Sequence, residues 1–239
     1  MNILIPMAGR GSRFAEAGYK LPKPLIDVGG KPMIQKVIEN IGMSGTYIFI
    51  VQKEHCELFD LDKRLQKYAP QSVIIEIEGV TEGAACTCLL ARDHIDNHEP
   101  LMIANCDQLM KWNRKGFRMM AAEEDTDGII LTFHSTSSKN SYIRMDHHSH
   151  IVEVAEKKVI SDIATCGVYY WKRGDCFVWC ADKMIAHNVR VNNEFYVCPT
   201  YQPMIDIGFV VKPYPVMRHF PIGTPEDLEC YQKTLTTSI

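Results

Sequence analysis

Short apolar runs alternate with segments of helical periodicity through the first half of the chain. The apolar runs, each of strand length, lie at residues 2–7, 47–51, 72–77 and 101–104. Helical patterns between them cover residues 32–40, 54–68 and 83–95. Continuous apolar strands separated by helices are typical of a mostly parallel sheet with both faces covered. The pattern therefore predicts an α/β fold for this half.

After about residue 126 the pattern changes, and strand-like segments follow one another with only turn residues between them. These segments lie at residues 128–134, 141–145, 151–155 and 164–171, followed by a helix at 176–187 and a strand at 209–213. A final helix is predicted from Thr224 as N-cap, with Pro225 at its first position and Asp227 at its third. Strands joined by short turns favour a mixed or antiparallel extension. No repeat, low-complexity tract or linker divides the chain, so we predict one domain over residues 1–239.

Composition and charge narrow the class of protein. The 239 residues are 46% hydrophobic and 23% charged, which is ordinary for a globular protein and excludes a disordered or fibrous chain. A formal net charge of −3, without a run of Lys and Arg, argues against nucleic acid as a partner. The nine cysteines form no C-x-x-C pair and lie mostly in apolar runs, which predicts reduced thiols rather than disulfides or a zinc site.

Neither a signal peptide nor a membrane span is visible in the sequence. The first apolar run is short and has no charged residues before it, and no window reaches about 18 consecutive apolar residues. We therefore expect a cytoplasmic protein without a membrane partner. Nothing in the sequence excludes a homo-oligomer.

The most informative chemistry follows the first apolar run. Residues 9–13 (Gly-Arg-Gly-Ser-Arg) form a glycine-rich turn, and Lys23 follows, fixed between two prolines. Glycines let backbone amides approach an anion and the cations add positive charge, so this stretch predicts a polyphosphate site. It is not a P-loop, because it lacks a Gly-Lys-Ser/Thr ending. It is not a dinucleotide fingerprint either, because Phe14 stands at the third glycine position.

A carboxylate follows another apolar strand. Asp107 comes just after the run at 101–104, and the carboxyl ends of strands are where open α/β sheets place their ligands. A hard carboxylate oxygen also suits Mg²⁺ bound to phosphates. Asp107 is therefore a candidate metal ligand near the glycine-rich turn.

The first strand, the glycine-rich turn and Lys23 together resemble the sugar-nucleotidyltransferase (nucleoside-diphosphate-sugar pyrophosphorylase) family. Further segments match that family in the same order, at residues 83–86, 101–108, 154–158, 163–169, 192–196 and 223–228. The resemblance covers nearly the whole chain. It implies one Rossmann-like (GT-A-type) α/β domain with a mostly parallel mixed sheet flanked by helices and a small antiparallel extension. It also implies a nucleotide-binding half at about 1–125 and an acceptor-binding half at about 126–239.

The activity that the resemblance implies is transfer of a nucleoside monophosphate from a nucleoside triphosphate to a phosphorylated small molecule. The expected acceptor is a sugar 1-phosphate, and a non-sugar phosphate such as a phosphorylated amino alcohol stays open. Pyrophosphate would leave, and the product would be an activated sugar for polysaccharide or glycoconjugate synthesis. The resemblance assigns Arg13 to the β- and γ-phosphates, Lys23 to the α-phosphate region and Asp107 to Mg²⁺, the implied cofactor. The residues expected at the nucleotide are Met7, Ala8, Gly9, Gly11, Ser12, Arg13, Lys23, Gly83, Asn105 and Asp107. Those expected at the acceptor are Glu156, Lys157 and Gly167.

Two positions depart from the family pattern. Cys86 stands where relatives more often have Gln or His, which leaves the base open among CTP, UTP, dTTP and GTP. Pro221 stands where many relatives have an aspartate that is a second magnesium ligand. Three interpretations stay open: Asp107 acts with phosphate oxygens and water alone, another acid such as Asp227 substitutes, or activity is reduced or lost.

Two rival functions also stay open. A GT-A-type glycosyltransferase shares the α/β layout and the strand-end acid but consumes sugar nucleotides, and the motif of Arg13 and Lys23 favours nucleotidyl transfer over it. A non-catalytic subunit that senses nucleotides or sugar phosphates is suggested by Pro221. A metal site in the Asp-His-His-Ser-His stretch at 146–150 is disfavoured, because adjacent side chains of an extended chain alternate faces. That stretch predicts a polar hairpin turn.

Overall fold

The computed structural model describes residues 1–236, and residues 237–239, which the predicted domain includes, lie outside the described residues. Its strands are β1 Asn2–Pro6, β2 Thr46–Gln52, β3 Val73–Ile77, β4 Leu101–Ala104, β5 Gln108–Lys111, β6 Gly128–His134, β7 Ser141–Met145, β8 Ile151–Glu156, β9 Ile163–Trp171, β10 Val211–Pro215 and β11 Arg218–Pro221. Its α-helices are α1 Ser12–Glu16, α2 Met33–Ile41, α3 Lys53–Phe59, α4 Leu61–Tyr68, α5 Ala84–Leu89, α6 Arg92–Ile95, α7 Arg114–Ala121, α8 Gly174–Ala186, α9 Gln202–Asp206 and α10 Pro225–Thr236. Short 3₁₀ helices cover Lys23–Leu25 and Cys198–Tyr201.

A mixed sheet forms the centre of the molecule, with the strand order β10-β6-β9-β4-β1-β2-β3. β1 pairs in parallel with β2 and β4, β2 with β3, and β10 with β6. β9 is antiparallel to both of its neighbours, β4 and β6. The β7–β8 hairpin joins through β9, and β5 pairs with β11 in a separate antiparallel ribbon. The predicted fold class, a single α/β domain with a mostly parallel mixed sheet and a small antiparallel extension, is confirmed.

The continuous apolar runs are explained by helices on both faces of the sheet. Ile3, Leu4 and Ile5 of β1 are all fully buried. Because alternate residues of a strand face opposite sides, Ile3 and Ile5 pack into one core cluster and Leu4 into the other. Helices α2, α4, α7 and α10 contribute to the first cluster, and α5, α6, α8 and α9 to the second.

Two long helices predicted from periodicity were wrong, because each is interrupted. The helix predicted at 54–68 is divided into α3 and α4 at Asp60, which adopts a left-handed conformation with φ of 51°. The helix predicted at 83–95 is divided into α5 and α6, where the amide of Ala91 bonds to the carbonyl of Cys88, three residues back. Hydrophobic spacing continues across both breaks and therefore hides them.

The β5–β11 ribbon positions two loops that the sequence separates widely. Asp107 immediately precedes β5, and Gly223 follows β11. The amide of Ile222 donates to the carbonyl of Asp107 at 3.0 Å, which joins the two loops beyond the ribbon. The hydroxyl of Thr224 accepts from the amide of Asp227 at 3.1 Å, which confirms the predicted N-cap of α10.

The histidine-rich stretch forms the turn between β7 and β8. The Asp146 carboxylate accepts from the amides of His148 and His150, each at 2.9 Å, as expected of a polar hairpin turn. Between residues 1 and 236, no three His, Cys, Asp or Glu side chains are grouped so that they could hold a metal ion. All nine cysteines are free, as predicted. No helix in the described part of the chain is long and apolar enough to span a bilayer.

Candidate active site

A cleft of about 650 Å³ opens at the carboxyl ends of β1 and β4. Its lining comes from six places: the loop after β1, Lys23 and Pro24, the loop before α5 with Thr87, the loop after β4, residues 194 and 196, and Gly223. All ten residues predicted to contact the nucleotide line this cleft. The three residues predicted at the acceptor, Glu156, Lys157 and Gly167, are not among those that line it.

The glycine-rich turn keeps its backbone open toward the cleft. Gly11 precedes α1 in a left-handed conformation, with φ of 61°. A Cβ at Gly11 would lie 3.2 Å from the Cβ of Lys23, so the turn packs directly on that lysine. Gly9 has no neighbouring atom within 4 Å of its Cβ position, and Arg13 is exposed. The turn therefore presents backbone and cationic groups where an anion can approach.

Lys23 and Asp107 form an ion pair inside the cleft. The Lys23 ammonium donates to Oδ2 of Asp107. Oδ1 of Asp107 accepts from the side-chain nitrogen Nε2 of Gln108 at 3.2 Å. Burial opposes the charge on Lys23, but the adjacent carboxylate outweighs it, and the pKa of Lys23 is raised. Burial likewise opposes ionisation of Asp107, and the Lys23 ammonium reverses this, so the pKa of Asp107 lies below its usual range. Both groups are therefore charged at neutral pH.

The Asp107 carboxylate is packed from two further sides. A Cβ at Gly223 would lie 2.6 Å from Oδ2 of Asp107, so any side chain at this position would displace that carboxylate. The side-chain oxygen Oε1 of Gln108 lies 2.5 Å from Nε2 of His219, whose ring lies against Phe133 at a tilt of 36°, with centroids 4.1 Å apart. Burial lowers the pKa of His219 to about 4, so its imidazole is neutral and can donate to Gln108.

Residues 190–196, which we call the 190–196 segment, dock against the loop before α5. The Phe195 amide donates to the carbonyl of Glu82 at 2.8 Å, and the Ala85 amide donates to the carbonyl of Phe195 at 2.9 Å. Gly83 lies between these bonds with φ of 136°, and a Cβ there would approach the Phe195 backbone to 2.4 Å. Glu194 and Tyr196, on either side of Phe195, both line the cleft.

The predicted acceptor residues do not line the cleft, but two of them contact residues that do. Lys157 contacts Tyr196, and Gly167 contacts Asn105 in the loop after β4. Lys157 donates to the Tyr196 hydroxyl, and its ammonium lies 4.4 Å from the centre of that ring. Glu156 accepts from the Ser141 hydroxyl, and burial raises the pKa of Glu156. Gly167 accepts from the Asn105 amide at 2.9 Å and leaves room for the Asn105 side chain, 2.4 Å from its Cβ position.

Several lining residues were missed by the sequence analysis. Arg10, Thr81, Thr87, Glu194, Tyr196 and Gly223 line the cleft. Arg10 lies inside the glycine-rich turn, and Glu194, Tyr196 and Gly223 fall in segments that match the family, so the sequence carried a signal for these four. The sequence carries no comparable signal for Thr81, Thr87 or the supporting His219.

The donor set suits a metal ion that is shared with phosphate. Among the residues that line the cleft, the carboxylates are Asp107 and Glu194, and Asp227 is not one of the lining residues. The side chain of Pro221 offers no donor atom. Mg²⁺ is commonly held by one or two carboxylates together with substrate phosphates, and Asp107 fits that arrangement.

The fold and the sequence both match known proteins. The chain is 30% identical over 115 residues to a mannose-1-phosphate guanyltransferase of Schizosaccharomyces pombe, and the match covers 47% of this chain and 32% of that protein. The solved nucleoside-diphosphate-sugar pyrophosphorylase of Vibrio cholerae RC9 has a TM-score of 0.82 at 22% identity, over 97% of this chain and 99% of that one. A UDP-glucose pyrophosphorylase complexed with UDP-glucose has a TM-score of 0.77 at 15% identity, over 100% and 99% of the two chains.

The extent of these matches differs. The aligned part spans 32% to 49% of the length of the first curated relatives. The solved structures named above, in contrast, are covered almost completely. A family model described as nucleotidyl transferase matches residues 3–187, which is most of this chain and includes the glycine-rich turn, Lys23 and Asp107. The family predicted from those motifs is thus confirmed, and the chain belongs to the nucleotidyl transferase family.

Proposed function

We propose that this protein transfers a nucleoside monophosphate from a nucleoside triphosphate to a phosphorylated small molecule, a sugar 1-phosphate, and releases pyrophosphate. The observation that carries the proposal is the Lys23–Asp107 ion pair, which shares one cleft with the glycine-rich turn at 9–13. A charged lysine and an ionised carboxylate beside the glycine-rich turn suit a metal-bound triphosphate.

In the proposed reaction, an oxygen of the acceptor phosphate attacks the α-phosphorus in line. The bond from the α-phosphorus to the bridging β-phosphate oxygen breaks, and pyrophosphate leaves with that bonding pair. The attacking oxygen is already ionised at neutral pH, so the cleft need not supply a general base. Catalysis then rests on positioning and on stabilising the charge that develops.

Each side chain has a proposed part in this scheme. Arg13 and the backbone of the glycine-rich turn bind the β- and γ-phosphates, which become the leaving group. Lys23 neutralises the α-phosphate region. Asp107 would hold Mg²⁺ jointly with phosphate oxygens, and the ion would add charge neutralisation when bound. The acceptor is placed beside Tyr196, Lys157 and Glu156.

The two halves of the chain would divide the substrates between them. The ten proposed nucleotide contacts all lie between Met7 and Asp107, within the half at about 1–125. Glu194 and Tyr196 belong to the half at about 126–239 and line the cleft, and Lys157 of the same half donates to the Tyr196 hydroxyl. We therefore assign the nucleotide to the first half and the acceptor to the second.

A pyrophosphate-release screen tests the function. CTP, UTP, dTTP and GTP are each combined with Mg²⁺ and with mannose 1-phosphate, glucose 1-phosphate or phosphoethanolamine. We expect pyrophosphate from at least one pair, and only when both substrates are present. In Lys23→Ala the rate should fall at least about tenfold, because the α-phosphate loses its cation, whereas exposed Lys20→Ala should match the wild type.

Other outcomes of the screen would point to the rival functions. Consumption of a sugar nucleotide without pyrophosphate formation would indicate a glycosyltransferase. Raised thermal stability with a nucleoside triphosphate but no turnover with any acceptor would indicate a sensing subunit. A folded Lys23→Ala protein with the wild-type rate would refute the assignment of that lysine.

A further inference from the structure

Arg190 connects four groups around the 190–196 segment. Its guanidinium pairs with the Glu82 carboxylate at 2.5 Å and lies 4.0 Å from the centre of the Phe195 ring. It also donates to the Asn188 side chain at 2.6 Å and to the carbonyl of Asn193 at 3.3 Å. A planar guanidinium that stacks and forms ion-paired hydrogen bonds at once fixes its neighbours in orientation as well as distance.

The segment itself is a small closed turn. Val191 and Glu194 exchange backbone hydrogen bonds of 3.1 and 3.0 Å, and Asn192 and Asn193 between them adopt left-handed conformations. The Phe195 ring is buried against Ala85 and Met184. Phe195 and Arg190 are thus the side chains that dock this turn on the loop before α5.

The loop on the other side of this contact has bonds of its own. The carbonyl of Gly83 accepts from the Thr87 amide at 3.0 Å and from the Thr81 hydroxyl at 2.9 Å. These bonds lie within residues 81–87 and do not involve Arg190. Loss of Arg190 should therefore release the 190–196 segment and leave the loop in place.

We propose that Arg190 is a positioning residue for the acceptor, because it holds Glu194 and Tyr196 at a fixed distance from the loop before α5. This inference rests on the proposed function. Glu194 and Tyr196 flank the docked Phe195, and Tyr196 in turn accepts from Lys157. Release of the segment would displace Glu194 and Tyr196 together, so acceptor binding would weaken while nucleotide binding is retained.

Amide hydrogen exchange of the substrate-free protein is the first test, because it needs no ligand. In Arg190→Ala the amides of Phe195 and Ala85 should exchange about tenfold faster, since their shared docking contact opens more often. The Thr87 amide, which lies in α5 and bonds to the carbonyl of Gly83, should not change. Arg92→Ala is the matched control, because it removes a 2.6 Å surface ion pair with Asp182 between α6 and α8.

Steady-state kinetics with the pair found in the screen is the second test. Arg190→Ala should raise KM for the phosphorylated acceptor about tenfold and change KM for the nucleotide less than twofold. Arg190→Lys, which keeps the charge but not the planar stack, should lie between Arg190→Ala and the wild type.

The outcomes separate the two proposals. Unchanged exchange at Phe195, or equal rises in both KM values, would overturn the positioning role. A general loss of protection that includes Thr87 would show a merely structural role and would overturn it as well. If the wild-type protein turns over no pair, the proposed function fails and takes the acceptor role with it, while the exchange result still decides whether Arg190 holds the segment.

Discussion

At the scale of single residues, the cleft depends on one pair of opposite charges. Lys23 and Asp107 are 84 residues apart in the chain, and each was readable by itself: a lysine between prolines and an acid after an apolar strand. Their contact could not be predicted from the sequence, because only the tertiary structure brings Lys23 and Asp107 together. Glu156 and Gly167 show the converse, since they match family segments but do not line the cleft.

The ion pair should be visible in stability. Lys23→Met leaves the Asp107 carboxylate partly buried without its cation, and we expect the free energy of unfolding to fall by about 2 kcal/mol. Adding Asp107→Asn should recover most of that loss, because the unpaired charge is then removed. Urea unfolding of the two single variants and the double variant measures the coupling. Additive losses would mean that the two groups do not interact.

Asp107 should also set the requirement for magnesium. In Asp107→Asn, a neutral amide replaces the anionic oxygen, so the Mg²⁺ concentration for half-maximal turnover should rise at least about tenfold. The measurement is a Mg²⁺ titration of pyrophosphate release at saturating substrates. An unchanged titration curve would remove Asp107 from the metal site.

His219 should make stability depend on pH. Its pKa is about 4 in the folded protein and near 6.5 when unfolded, so between these values the unfolded state binds more protons. The stability from neutral His219 is therefore fully present above pH 6.5 and is lost as pH falls toward 4, by up to about 3 kcal/mol. Urea unfolding at pH 5 and pH 7 should show a smaller difference for His219→Gln than for the wild type. Equal differences would contradict the lowered pKa.

At the scale of elements, the short strands β5 and β11 were not predicted from the sequence, although they shape the site. β5 and β11 have four residues each, too few for a periodic pattern to stand out, yet together they bring Gly223 against Asp107. Strands β1, β2, β4 and β9 were predicted correctly, although β4 also has only four residues, because their apolar runs reflect burial on both faces. The break at Asp60 was missed because an aspartate in a left-handed conformation leaves the hydrophobic spacing of α3 and α4 unchanged.

The ribbon can be tested through its glycine. In Gly223→Ala the new Cβ would lie 2.6 Å from the Asp107 carboxylate, so that side chain must shift and turnover should fall at least about tenfold. Gly116→Ala in α7 is the control, because it creates a similar 2.7 Å collision with the Tyr214 hydroxyl. Neither Gly116 nor Tyr214 lines the cleft. Comparable turnover in both variants, at comparable thermal stability, would contradict a specific role for Gly223.

At the scale of the whole molecule, the two halves of the chain meet along one cleft. The order of motifs was enough to predict the family and the fold class, which the family match and the likeness to solved structures confirm. The docking of the 190–196 segment on the loop before α5 was beyond sequence reasoning, because it depends on backbone contacts at Gly83 and on Arg190. Those contacts join the proposed nucleotide and acceptor halves.

Phosphorus NMR of a complete reaction tests nucleotidyl transfer most directly. With the active triphosphate, the sugar 1-phosphate and Mg²⁺, we expect pyrophosphate and a new diphosphate diester to appear in equal amounts as both substrates decline. Lys23→Ala should yield the same two signals far more slowly. Formation of inorganic phosphate or free nucleoside monophosphate without the diester would contradict nucleotidyl transfer.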